Sequence, residues 1–173
     1  MLIANWKSNG SKAMAVDWFQ KFFDKYSFKN DETFIGIAPP FVYIEQINSL
    51  KKSNINTGLQ DIEPFSGAST GTISADMAVD LECSFSIIGH SERRELFKES
   101  NDQIKEKIIS LDKRIIPILC IGETEKENIA GKTKHVLQTQ LEIIQNHDLH
   151  DLFTVAYEPV WAIRSEERRV GKE

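Results

Sequence analysis

Six short runs of apolar, largely β-branched residues recur along the chain, at 2–4, 33–38, 55–59, 85–88, 115–119 and 152–156. Each is nearly continuous rather than alternating, the pattern of strands covered on both faces in a parallel sheet. Between them run segments with helical spacing. Residues 14–28 carry Val16, Phe19, Phe22 and Phe23 on one stripe, 101–111 carry Ile104, Ile108 and Leu111, and 132–146 carry Val136, Leu137, Leu141 and Ile144. Asp102, Lys105 and Lys107 decorate the second of these and Lys132 and Lys134 the third; the expectation is that these charges face water. Strand then helix, repeated with starts about 30 residues apart, is the signature of βα units joined by right-handed crossovers. Two architectures accommodate it: a doubly wound open sheet, and a (β/α)8 barrel of roughly 250 residues. The first strand is followed by Asn5-Trp6-Lys7-Ser8-Asn9-Gly10 instead of a glycine-rich dinucleotide fingerprint, which weighs against the open sheet.

Composition narrows the classes. The 173 residues hold 21 Lys+Arg against 26 Asp+Glu, a formal net charge of −5, so no basic footprint for nucleic acid or an anionic membrane is present. A 40% hydrophobic and 27% charged chain is that of an ordinary globular protein. No run approaches the ~18 apolar residues of a membrane span. Cys83 and Cys120 form no CxxC pair, which argues against a zinc site or a disulfide framework. With no secretory signal readable at the N-terminus, both cysteines are expected reduced and buried in a cytoplasmic protein.

The informative polar residues fall at the ends of the expected strands, where barrel enzymes present their chemistry. Lys7, after the first strand, offers a compact cation suited to an anionic group such as a phosphate ester. After the fourth strand comes Gly89-His90-Ser91-Glu92-Arg93-Arg94, with Ser91 expected to cap a short helix beginning at Glu92. The positive helix terminus would keep His90 neutral, able to donate a hydrogen bond to a carbonyl. Arg93 and Arg94 read as partners in structural ion pairs. Cys120 has no activating group near it in sequence and reads as a small buried hydrophobe. After the sixth strand, Glu158 precedes Pro159-Val160-Trp161-Ala162-Ile163, a carboxylate beneath a Pro-stiffened apolar loop, as a general base requires. Gly131-Lys132-Thr133 ends like a phosphate-binding loop but lacks the required earlier glycine, and His147 with His150 has no third ligand in view.

Together these strand ends resemble the triosephosphate isomerase family. The match is carried by Asn5-Trp6-Lys7 with Asn9-Gly10, Gly67-Ala68-Ser69-Thr70-Gly71, Ile88-Gly89-His90-Ser91-Glu92-Arg93-Arg94, Cys120-Ile121-Gly122-Glu123-Thr124, and Ala156-Tyr157-Glu158-Pro159-Val160-Trp161-Ala162-Ile163, in the family's order. The resemblance implies a TIM (β/α)8 barrel and interconversion of dihydroxyacetone phosphate with glyceraldehyde 3-phosphate through an enediol. On the roles assigned to that family, Glu158 is the base, His90 the electrophile and Lys7 the electrostatic stabiliser, with Asn5 a donor to the substrate oxygens. Residues 159–163 would form the first half of a lid; Ser91 would hold the base when that lid is open, and Glu92 would support Lys7. No metal or organic cofactor is implied, because the substrate carbonyl acidifies the neighbouring C–H. A homodimer is implied through residues 61–74, with Thr70 reaching toward the partner's Asn5 and the partner's Lys7; position 72 holds Thr where the family commonly carries Glu.

The resemblance stops after Ile163, where the family's Gly-Thr-Gly-Lys is replaced by Arg164-Ser165-Glu166-Glu167. The expectation is therefore a partial barrel over residues 1–163, with about six of eight βα units, followed by a non-family tail over 164–173. Two alternatives accompany the isomerase reading: an inactive barrel fragment, or another phosphate-binding barrel isomerase or epimerase.

Overall fold

A computed structural model describes residues 1–26, 33–52, 54–145 and 153–162. The expected tail at 164–173, with Ile163, His147 and His150, lies outside the described residues. The chain divides into two compact units, Met1–Ile87 with Leu111–Ile116, and Ile88–Ser110 with Pro117–Glu173.

The first unit opens with β1 (Leu2–Asn5), α1 (Lys12–Lys25), β2 (Ile35–Ala38), α2 (Ile44–Leu50) and β3 (Ile55–Leu59). It continues through α3 (Ala75–Asp80) into β4 (Phe85–Ile88), whose last residue belongs to the second unit. Its strands are parallel and neighbour one another in sequence order: Leu2 pairs with Ile35, Ile35 with Ile55, and Gly58 with Phe85. Residues 35–38 and 85–88 are buried throughout, as their continuous apolar runs predict. Ser11 starts α1 by accepting the Met14 N–H, and Ala15 and Phe19 on its inner stripe join Trp6, Ile37, Ile47 and Ile55 in one core. Phe85, 0% exposed, fills the space left by two glycines. A Cβ on Gly36 would lie 2.6 Å from its ring, and one on Gly58 2.5 Å. Both cysteines are free and buried; burial pushes the Cys83 thiol up to about 11, with the nearby Lys51 ammonium opposing.

The second unit holds α4 (Ser91–Leu96), α5 (Asn101–Ser110), β5 (Ile116–Ile121), whose first residue belongs to the first unit, α6 (Glu125–Ile129), α7 (Thr133–Leu141) and β6 (Thr154–Tyr157). Strands β5 and β6 are parallel, Ile118 opposite Thr154 and Ile121 opposite Tyr157. Strand β5 runs two residues past the expected end, which places Cys120 and Ile121 inside it. Strand β6 departs from the expectation of double cover: Val155 and Tyr157 are 42% and 51% exposed. Helix α6 carries a reciprocal capping box between Thr124 and Glu127. Among the described residues no helix is long and apolar enough to cross a membrane.

One expectation needs correction. Lys107 does not face water: it is 2% exposed, with Nζ 2.6 Å from the buried Glu99 carboxylate, which also receives the Arg93 guanidinium. A buried ammonium is tolerable only when paired in this way.

Candidate active site

In the first unit, Asn5 ends β1 and Lys7 follows two residues later in the left-handed region, φ 50°. A lysine there is strained, because Cβ crowds the following carbonyl. The surroundings enforce the conformation: the Lys7 N–H donates to Asn5 Oδ1 at 2.9 Å, and the Lys7 carbonyl accepts from Gln60 Nε2 at 2.8 Å. The same Gln60 amide also reaches the Ala38 carbonyl at 2.8 Å, tying the turn to the end of β2. Gln60 has no periodic or motif signal in the sequence. Thr70 lies exposed in the 61–74 loop, where Thr72 Oγ1 donates to the Ser69 carbonyl at 3.1 Å.

In the second unit, the helix after β4 begins one residue earlier than expected. Ser91 is its first residue, and the cap is His90, whose Nδ1 accepts the Glu92 N–H at 3.2 Å. That bond fixes the imidazole chemically. A nitrogen accepting from a backbone N–H cannot itself carry a proton, so the neutral ring holds its hydrogen on Nε2. His90 is 6% exposed, and its Nε2 faces Glu158 Oε2 at 3.5 Å. Glu92 approaches the other side of the ring, its Oε2 3.6 Å from Nδ1.

Glu158 follows β6 directly, and its side chain is 23% exposed. Its Oε2 is buried and accepts no hydrogen bond among the described residues. An orphaned buried acceptor is costly, and such costs persist where a site reserves a lone pair for a ligand. Glu158 and Ser91 both line a cavity of about 830 Å³ within this unit. Cys120 lines it too. Burial first, then the adjacent Glu158 carboxylate, push its thiol pKa up, so it remains a protonated thiol as the sequence suggests. Arg94 makes hydrogen bonds to carbonyls where an ion pair was expected, to Gly89 O at 2.8 Å and Cys120 O at 3.3 Å, linking the ends of β4 and β5.

Sequence reasoning assigned nothing to Glu123, yet it anchors the segment after β6. It is fully buried and accepts from the Trp161 indole at 2.9 Å, the Tyr157 hydroxyl at 3.0 Å and the Asn128 amide at 3.1 Å. Burial alone would raise its carboxyl pKa; the bonds from Trp161, its own backbone, Tyr157 and Asn128 outweigh this and hold it below the usual range.

Parallel βα units that bring an imidazole against a carboxylate at their strand ends have the arrangement used for acid–base chemistry in the (β/α)-barrel class. The model of the triosephosphate isomerase family matches residues 1–169, and the chain belongs to that family. Its fold is therefore that of the TIM barrel, with six of the eight strands among the described residues. Triosephosphate isomerase of Erwinia tasmaniensis is 42% identical over 169 residues, covering 94% of this chain and 66% of that protein. Those of Buchnera aphidicola and Serratia proteamaculans are each 40% identical, covering 100% and 94% of this chain and 71% and 66% of theirs. The chain thus spans about two thirds of the length of the curated relatives it matches.

Proposed function

We propose that the protein is a triose-phosphate isomerase, moving a proton between adjacent carbons of dihydroxyacetone phosphate and glyceraldehyde 3-phosphate. The observation that carries this reading is the pair His90 Nε2 and Glu158 Oε2, 3.5 Å apart, with Oε2 buried and without a conventional hydrogen bond among the described residues. Glu158 takes the proton from one carbon and returns it to the other. His90, with its hydrogen on Nε2, donates to the developing enediolate oxygen, and a neutral donor can also take that proton back. Lys7 supplies the fixed cation for enediolate and phosphate, and Asn5 a donor to substrate oxygens. Ser91 holds the base when the loop after β6 is open. The substrate carbonyl itself acidifies the C–H, so these groups suffice for the proton transfer.

A coupled assay with glyceraldehyde 3-phosphate tests the activity; no turnover overturns it. Glu158→Asp withdraws the carboxylate by roughly 1 Å and should lower kcat on the order of 10²-fold; an unchanged kcat removes Glu158 from the base role. The reading includes a cytoplasmic homodimer formed through residues 61–74 and Thr70, so light scattering at micromolar concentration should give twice the chain mass.

A further inference from the structure

Gly122, immediately after β5, lies directly beneath the peptide of Glu158. A Cβ added there would penetrate the Glu158 carbonyl, 2.6 Å from its carbon, and backbone cannot step aside as a flexible side chain can. The residues on either side grip the same segment: Ile121 O accepts the Glu158 N–H at 2.7 Å and Glu123 O the Val160 N–H at 3.1 Å. Only glycine fits this contact, and glycine is also the residue with the widest backbone freedom. A glycine supporting the base therefore needs a restraint from outside.

Gln140 on α7 provides one. Its Oε1 accepts the Gly122 N–H at 2.8 Å, and its Nε2 donates to the Gly122 carbonyl at 3.1 Å. One primary amide occupies both main-chain polar groups of residue 122, the complementary pairing that a neighbouring strand would give. Loss of the amide frees residue 122 to rotate and leaves two part-buried backbone groups without their partner.

We propose that Gln140 is a positioning residue for Glu158, acting through Gly122. The inference rests on Glu158 being the general base. Displacements of this support pass directly to the Glu158 backbone, and misplacement of a reacting carboxylate by a fraction of an ångström lowers kcat while leaving substrate binding almost unchanged.

Gln140→Met keeps the length and removes both bonds; Gln140→Glu keeps the acceptor for the Gly122 N–H and loses the donor. Amide hydrogen exchange is followed residue by residue on the full chain, beside kcat and KM with glyceraldehyde 3-phosphate. Expected for Gln140→Met is exchange at Glu158 and Val160 at least tenfold faster, unchanged exchange at Ile3 and Ile37, and kcat lowered about tenfold with KM within twofold. Gln140→Glu should fall between parent and Gln140→Met on both readouts. Unchanged exchange at Glu158, unchanged kcat, or an equal rise in exchange across both units overturns the proposal. An inactive parent chain refutes the isomerase reading instead, and the exchange measurement then decides the support of residue 158 alone.

Discussion

The two units hold their chemical groups by different means. In the first, the Lys7 main chain is locked into a left-handed turn at the end of β1 by the amide groups of Asn5 and Gln60, beside a strand β2 that is buried throughout although β1 is not, Leu2 being 63% exposed. In the second, the Glu158 N–H is bonded to Ile121 O, and the segment around it depends further on side chains, Gln140 at Gly122 and the Glu123 carboxylate at Trp161, at the end of a strand whose alternate residues are half exposed. Main-chain fixation stores strain but depends on no ionisation state. Side-chain fixation stores little strain, yet each donor and acceptor is a point of failure, and one of them, Glu123, titrates. The rigid unit should thus fail by loss of packing, and the other by loss of a bond or a charge.

The largest expected effect tests the packing side. Phe85 fills a space shaped by Gly36 and Gly58 and is fully buried. Phe85→Ala should destabilise by about 3–5 kcal/mol, because the glycines on either side offer no side chain to collapse into the cavity. Thermal or denaturant unfolding measures this; a cost under about 1 kcal/mol would mean that the first unit does not depend on that ring.

A smaller effect tests the charge side. The Glu123 carboxyl pKa is held below its usual value in the folded chain. A depressed folded value contributes stability at pH above the unfolded value, and that stability is lost as pH falls through the folded one. The attachment of Trp161 should therefore survive from neutral pH down to the ordinary carboxyl value near 4.5 and weaken only below it. Fluorescence of the parent minus that of Trp161→Phe isolates the signal. Glu123→Gln should abolish the acid step and weaken the attachment at neutral pH. A transition centred at pH 6 or above in the parent would assign the switch to another group.

How much of this was legible in the sequence follows the same division. Runs at 55–59 and 85–88 gave strands with matching ends, because main-chain ladders read continuous apolar sequence directly. Four helices of five to seven residues, α2, α3, α4 and α6, are too short to show a period, and the cap before α4 was placed one residue late for that reason. Lys107 stands three residues after Ile104, on the buried stripe by helical spacing, but its charge suggested the opposite face; its partner Glu99 precedes the helix and follows no period. Lys7, His90 and Glu158 were legible as motif residues. Their supports were not: Glu123 meets Trp161 38 residues away, Gln60 meets Lys7 53 away, and Gln140 meets Gly122 18 away, contacts that only the fold creates.

The smallest expected effect isolates main-chain strain, and its sign is the informative part. Lys7→Ala and Lys7→Gly both remove the ammonium, so both lose whatever the cation contributes to turnover. They differ in the backbone. Alanine keeps the left-handed penalty of roughly 1–2 kcal/mol. Glycine removes it but is the more flexible residue in the unfolded chain, at a cost of roughly 0.5–1 kcal/mol. The balance leaves Lys7→Gly more stable than Lys7→Ala by up to about 1.5 kcal/mol, at roughly 2–4 °C in Tm per kcal/mol for this chain size. At an ordinary strand or helix position the order would be reversed. If alanine melts at or above glycine, residue 7 is not strained and main-chain locking does not distinguish the first unit. If glycine melts higher, stability is being sacrificed at the residue that holds the cation, as expected where a backbone is held in place for chemistry rather than for folding.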